Sequence, residues 1–424
     1  MDRIQIKLKR FKQFFKGWGF NRQGEQRKKK LALQEELLSL ELLEETQDLD
    51  LTQLQKKLEV HRQILEILTE EELYWCKRAH STWLLEGDNN TEFFHRVANG
   101  RKRKHTIMSL MDGDNVIEGD SDLIAHATDY YKTLFGPAAR KSFPLNEGLW
   151  EDGEKVSEKD NVELVKPFSE IEIKEALLQM EKNKAAGPDK IPADFYQHCW
   201  DIIKDVLEMF AEFHAGILDV SRMNYGIITL LHKIQDAEKI QQFRLICLLN
   251  CIYKWITKVL TLRLENIAEK LILVNQTAFM KRRDIINGIM ALHEILHETK
   301  KNNEVGIVLK LDFKKAYDKV CWEFLFDCLK IRGFCEKWCS WIKQVVFGGT
   351  VSVKLNDQMR PYFRSYKGVR QGDPLSPIFF NFVADYLARM VRHSQQNGLI
   401  TGLAENIIPK VWLSYNMRTT PSSA

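Results

Sequence analysis

Asp312 closes the β-branched run Val305-Gly-Ile-Val-Leu-Lys-Leu311, and a helical pattern begins at once behind it, with Val320, Phe324 and Leu325 on one face and Gly333 as its cap. A carboxylate at the end of a strand points into a cleft while its backbone is held in a sheet. That placement suits holding Mg²⁺ against substrate phosphates. The alternative is plainer: Asp312 is the N-cap of the helix that follows.

A second stretch, Gly368-Val-Arg370-Gln371-Gly372-Asp373-Pro374-Leu375-Ser376-Pro377, has its backbone fixed by glycine and proline. Pro377 is suited to begin a helix, and Phe379, Phe382, Val383, Tyr386, Leu387 and Met390 recur behind it at helical spacing up to Gly398. Such a loop offers backbone and side-chain donors to a nucleotide at a helix start. It reads equally as a structural turn.

Two other groupings have metal-ligand spacing. His293-Glu294-Ile-Leu-His297 fits the zinc-protease pattern, with both histidines on one helical face. A protease also needs a third ligand and a substrate cleft, and Ile289, Leu292 and Leu296 make the same segment read as a core helix. Cys247/Cys251 and Cys335/Cys339 each sit four apart, one face of a helix, but no second pair or histidine follows either of them. The eight cysteines lack a compact framework spacing, so reduced thiols are expected.

The elements that position these residues follow from periodicity. Ile171 to Met180 predicts an amphipathic helix, and Gly226–Leu231, Val305–Leu311 and Val351–Leu355 predict strands. The last alternates Val351, Val353 and Leu355 before Asn356-Asp357, a hairpin signal. Helices mixed with hairpins on one chain indicate an α+β domain. Upstream, Leu31 to about Arg78 is rich in Leu and Glu without proline, and Leu51, Leu54, Leu58, Leu65 and Leu68 are spaced as an amphipathic helix. One or two long helices are expected, hairpinned near Thr46–Asp50. Residues 136–158 read as a loop.

Over 424 residues the composition is ordinary for a globular protein, 44% hydrophobic and 28% charged, with a net charge of +4. That net charge does not identify a partner, but its distribution is uneven. Basic residues crowd the first thirty positions, ending in Arg27, Lys28, Lys29 and Lys30, and a second cluster is Arg101, Lys102, Arg103 and Lys104 before His105. Both clusters suit phosphate contact or serve as solvated surface. No apolar run reaches membrane-spanning length and no signal-peptide core follows the basic start, so a cytoplasmic or nuclear location is expected.

Taken together, the Asp312 and Gln371 stretches resemble motifs of reverse transcriptases of the LINE (non-LTR retrotransposon) family, especially the plant type. The resemblance spans most of the chain. It implies that Asp312 is the first metal-binding aspartate and Tyr317 the aromatic gate against a ribose 2′-hydroxyl. It implies nucleotide contacts from Phe313, Ala316, Gln371 and Gly372. Thr229-Leu-Leu-His-Lys233 and Phe243-Arg244-Leu-Ile-Cys-Leu-Leu-Asn250 look like the fingers motifs whose Lys233 and Arg244 grip the triphosphate. The family's proline after that arginine is Leu245 here. Ala186-Gly-Pro-Asp189 and Gln276-Thr-Ala-Phe279 match further signatures, and Trp83 to Gly100 resembles the linker between the family's endonuclease and polymerase.

The resemblance implies an N-terminal helical arm over 1–105, a connecting segment over 106–165, and the fingers and partial palm of a right-hand polymerase over 166–408. Residues 409–424 are expected to be an out-of-frame tail. The resemblance puts the first residues inside the endonuclease–polymerase linker, so no endonuclease domain is expected in residues 1–424, and the family's Tyr-Ala-Asp-Asp segment does not occur among them. Coding Ser414 to Thr420 as TCT TAC AAT ATG CGG ACG ACA and reading from the third nucleotide gives Leu-Gln-Tyr-Ala-Asp-Asp. The expected function is RNA-directed DNA polymerase, with an RNA template, a DNA primer and two Mg²⁺ in the intact family. Without the second carboxylates this chain is expected to be an inactive, truncated relative. The competing expectations are a non-catalytic nucleic-acid-binding remnant and a zinc metalloprotease through His293, Glu294 and His297.

Overall fold

A computed structural model describes residues 2–79, 100, 106–137, 145–303, 305, 307–309, 311 and 313–400. It divides near Thr106 into two compact units. No helix among the described residues is long and apolar enough to cross a membrane.

The first unit is a helical hairpin, α1 (Asp2–Glu44) and α2 (Leu51–Ala79). The basic segment is thus the first two-thirds of α1 rather than a separate tail. Asp50 starts α2 as a reciprocal cap: its Oδ1 accepts from the Gln53 N–H at 2.7 Å, and Gln53 Oε1 accepts from the Asp50 N–H at 3.0 Å. Leu33, Val60 and Ile67 are buried between the helices with Leu37 and Ile64 beside them. The leucine stripe from Leu51 to Leu68 is not the packed face. All five of its leucines are exposed, because α1 covers the line through Val60, Ile64 and Ile67 instead.

The second unit opens with a hairpin, β1 (Ser109–Asp112) and β2 (Asn115–Glu118), turned at Gly113 with φ +63°. Helix Asp120–Leu134 follows, burying Leu123, Ile124, Ala127 and Tyr131. Short helices Glu158–Val165 and Glu170–Leu178 start at serines, Ser157 and Ser169, that accept from the N–H three residues on.

The main sheet has the order β4-β3-β5-β6, where β3 is Tyr225–His232, β4 is Phe243–Leu249, β5 is Thr350–Leu355 and β6 is Gln358–Met359. A further strand, β7 (Phe363–Arg364), also pairs with β5. β3 runs antiparallel to β4 and parallel to β5. The β5–β6 turn is the expected one: Asn356 and Asp357 both adopt positive φ, at 49° and 68°. One side of β4, Phe243, Leu245, Cys247 and Leu249, faces the core. Helix Cys251–Leu271 runs through that core, with Trp255, Ile256, Val259, Leu260 and Leu264 fully buried.

Three expectations fail here. The described residues of Val305–Leu311 form no strand, and Val305 is 100% and Ile307 89% exposed. A lone extended run gains no ladder hydrogen bonds, and no strand among the described residues lies alongside it. The following helix is Trp322–Ile331, delayed by a turn at 314–316 and a 3₁₀ turn at Tyr317–Lys319, although Gly333 does end it in the left-handed region. On helix Ile285–Lys301, Ile289, Leu292 and Leu296 are exposed, and Ile295 is the buried apolar side chain.

Candidate functional site

The β3–β4 ribbon sets the first part of the site. Leu231 lies opposite Arg244, and Ile228, Leu245 and Cys247 share the buried face. Alternation along the strand therefore puts Arg244 on the other face, half-buried. Lys233, just past β3, donates its N–H to the Gln242 carbonyl at 3.0 Å and is exposed, with Nζ 3.4 Å from the Gln241 carbonyl oxygen. Leu245, standing where a proline was expected, is buried and pairs with Leu230 in the ladder. A non-proline residue there keeps the strand unbroken.

The second part is the turn at 314–319. Lys315 takes a left-handed backbone at φ +57°. Tyr317 stacks on Phe380, ring centroids 5.3 Å apart, and meets Phe279 edge-on at 6.5 Å. The Gln276-Thr-Ala-Phe279 loop holds Phe279 there. Gln276 Nε2 donates to the Ala278 carbonyl and to Asn381 Oδ1, and Asn381 Nδ2 donates back to Ala278. Ala316 is half-buried in the turn and Phe313 is exposed. Asp312 lies outside the described residues, as do Arg101 to Lys104.

The third part is the 368–377 loop, which joins the other two through backbone hydrogen bonds. The Val369 N–H donates to the Tyr317 carbonyl at 2.8 Å, and the Gly368 N–H to the Val320 carbonyl at 2.7 Å. On the opposite side the Cys247 N–H donates to the Gln371 carbonyl at 3.0 Å. The contacts are too close for side chains. A Cβ on Gly368 would lie 2.6 Å from the Asp318 oxygen, and one on Gly372 would lie 2.8 Å from the Cys247 oxygen. Pro377 stands in the first turn of helix Ser376–Gln396, as expected. Ala186-Gly-Pro-Asp189 docks on the end of β4: a Cβ on Gly187 would lie 2.3 Å from the Leu249 oxygen, and the Asp189 N–H donates to Asn250 Oδ1.

Thus Tyr317, Gln371, Gly372 and the strand carrying Arg244 form one connected patch. The electrostatics beneath it are unusual. Asp318 is only 3% exposed, and burial pushes its carboxyl up to about 6 even though Lys315 and Lys233 oppose the shift. Burial also pushes the Lys315 ammonium down to about 8; Asp318 opposes this, while Lys233, Lys314 and Lys319 reinforce it. Desolvation outweighs the attraction between the two groups in both cases. Burial likewise raises the Asp373 carboxyl, against the Thr257 hydroxyl, the Leu375 N–H, Arg370 and the Tyr253 hydroxyl. Arg370 donates to Asn224 Oδ1 and stacks over Tyr253.

Sequence reasoning missed Asp318, Lys315, Tyr130, Asn250 and Phe380. A charged residue between Tyr317 and Val320 was the available hint for Asp318. The partners of the others are far away in sequence and left no local mark.

Among the described residues no group of three or more His, Cys, Asp or Glu is placed to hold a metal ion. His293, Glu294 and His297 are all exposed on helix Ile285–Lys301. Cys247 is on a strand and Cys251 begins a helix, so that pair does not share a helical face. Cys199, Cys247, Cys251, Cys321, Cys328, Cys335 and Cys339 are free thiols. Arg27, Lys28 and Lys29 are exposed on α1, whereas Lys30 pairs with Glu71 at 2.6 Å.

A family model described as reverse transcriptase (RNA-dependent DNA polymerase) matches residues 233–403. The chain is 26% identical over 318 residues to the Transposon TX1 uncharacterized 149 kDa protein of Xenopus laevis, covering 74% of this chain and 24% of that protein. It is also 26% identical to the retrovirus-related Pol polyprotein from type-2 retrotransposable element R2DM of Drosophila melanogaster, over 37% of this chain and 15% of the relative. A type-1 element R2 polyprotein of Nasonia vitripennis is 26% identical over 58% of this chain and 23% of its own length. The chain spans about a quarter or less of the length of these curated relatives.

Proposed function

From the premise that residues 233–403 are a reverse transcriptase segment of the non-LTR retrotransposon kind, we propose that this chain binds a nucleic-acid template with its primer and an incoming nucleotide. The observation that carries the reading is the hydrogen-bonded patch that unites Tyr317, the Gln371 loop and β4. These are the three stretches on which nucleotide contact was expected. In the proposal Lys233 and Arg244 hold the triphosphate, Tyr317 rejects a 2′-hydroxyl, and Gln371, Gly372, Phe313 and Ala316 line the nucleotide. The template is RNA and the primer DNA.

The family generally uses divalent metal ions. In the proposal Asp312 is the first ligand for Mg²⁺, which when bound stabilises attacking and leaving oxygens in phosphoryl transfer. Residues 1–424 contain no Tyr-Ala-Asp-Asp, so this polypeptide by itself is proposed to bind without extending a primer. The basic N-terminal two-thirds of α1, including Arg27, Lys28 and Lys29, and the Arg101–Lys104 cluster add sequence-independent phosphate contacts.

Primer extension on an RNA template with Mg²⁺ or Mn²⁺, alongside filter binding of the same duplex, tests this. Salt-dependent binding without extension is expected. Template-dependent synthesis that Asp312→Ala abolishes would overturn the inactivity, and absence of binding at low salt would overturn the whole reading.

A further inference from the structure

An open cleft of about 530 Å³ lies beside the patch, outside the residues so far assigned to substrate. Its walls come from helix Asp120–Leu134, from Asp112 at the β1–β2 turn, from Gln241, and from Lys314, Lys315 and Lys319. We propose that this cleft is a phosphodiester-binding groove in which Lys314, Lys315 and Lys319 seat the backbone of a nucleic-acid strand. The proposal deepens the binding reading above and rests on it.

Three observations carry it. First, among the described residues none of the three lysines forms an ion pair within 4 Å, although the buried Asp318 attracts Lys315 from beneath. The acidic groups on the wall have partners of their own, Asp112 with His126 Nδ1 at 3.7 Å and Asp129 with Lys132 at 3.9 Å. Secondly, Lys315 is held in place. Its ammonium lies 4.2 Å from the Tyr130 ring centroid and 5.5 Å from that of Tyr131, on a left-handed turn. Thirdly, the ammoniums repel one another. Lys233, Lys314 and Lys319 all act on Lys315 to disfavour its charge. Against these three cations the one carboxylate acting on Lys315 is Asp318, and a bound phosphate would offset the excess.

The anion is a strand rather than a single phosphate. A lone phosphate is gripped by converging backbone N–H groups, as at a helix N-terminus. Here three ammoniums, those of Lys314, Lys315 and Lys319, share an open wall with Thr133, Gln241 and Tyr130. Several ammoniums on one wall suit a polyanion, where each neutralised phosphate releases condensed counterions.

The test uses the full chain and a mixed-sequence single-stranded RNA, with affinity measured across salt concentrations. Lys314 and Lys319 are both exposed, so K314A/K319A should keep the wild-type unfolding midpoint. Removing two contacts should reduce the slope of log K against log salt by about 1.4, at ~0.7 per contact. K314R/K319R should restore it. RNA should also protect Lys315 from an amine-modifying reagent. An unchanged slope in K314A/K319A, with wild-type binding intact, would overturn the groove and leave the binding reading standing. Equal competition by inorganic tripolyphosphate, lost in K314A/K319A, would overturn the strand in favour of a nucleotide phosphate. A wild-type chain that binds no RNA at low salt would overturn both.

Discussion

Cys247 donates its backbone N–H to the carbonyl of Gln371 at 3.0 Å, so the strand bearing Arg244 and the loop bearing Gln371 are bonded directly to each other. Gly372 makes that approach feasible, with φ +113° and no side chain to meet the Cys247 oxygen. Gly372→Ala is expected to cost about 1–3 kcal/mol, the usual range for one strained backbone position. Urea unfolding measures it. An unchanged midpoint would show that strand and loop are not locked.

Asp318 makes stability depend on pH. Its folded value is raised from 3.8 to about 6, so as pH rises the unfolded chain gives up this proton first. Between those values the folded state binds more protons, and stability falls with rising pH. The contribution is complete below pH ~4 and gone above ~6, amounting to at most about 3 kcal/mol for a shift of roughly two units. Asp318→Asn should flatten the profile across that window. A variant whose profile runs parallel to wild type would assign the dependence to other groups.

Asp385 is the shared counter-ion of two buried arginines. Its Oδ2 accepts from Arg332 at 2.7 Å and from Arg389 Nε at 2.6 Å, and its Oδ1 accepts from the Leu273 N–H at 3.1 Å. All three side chains are nearly inaccessible. Asp385→Ala should cost about 3–5 kcal/mol, because it strands buried charge. Replacing Asp385 and Arg332 together by Leu and Met should cost less than Asp385→Ala alone. If the double variant is the worse of the two in urea, the penalty does not come from the unpaired cation.

The elements that were legible in the sequence are those fixed by local rules. Asn356-Asp357 names its own turn, Pro377 its own helix start, and Ile171 to Met180 its own amphipathic face. What was not legible depends on a neighbour. Val305–Leu311 has strand chemistry but no strand beside it among the described residues, and the leucines of α2 have helix periodicity that does not say which side α1 covers. The candidate site divides the same way. Its segments can be recognised one at a time from residue type and spacing. The Val369–Tyr317 bond that joins two of them, and the placing of Lys315 over Tyr130, arise from contacts far apart in sequence.

The exposed run gives a surface prediction. Ile307→Glu and Leu309→Lys replace apolar side chains that lie in solvent. Each should shift stability by no more than ~0.5 kcal/mol, as surface substitutions do. Binding of a hydrophobic dye and self-association should fall, because the contiguous apolar patch shrinks. A loss of several kcal/mol in denaturant would mean that these side chains are packed after all.

The Asn356 amide accepts from the Ile107 N–H and donates to the Ile107 carbonyl and to Asp120 Oδ1, tying the hairpin tip to residues nearly 250 positions earlier. A ribosome working at 5–20 residues per second needs on the order of 10–50 s to cover that interval. Throughout that time the helix Asp120–Leu134, with its buried Leu123, Ile124, Ala127 and Tyr131, lacks the cover that β5 gives it in the finished fold.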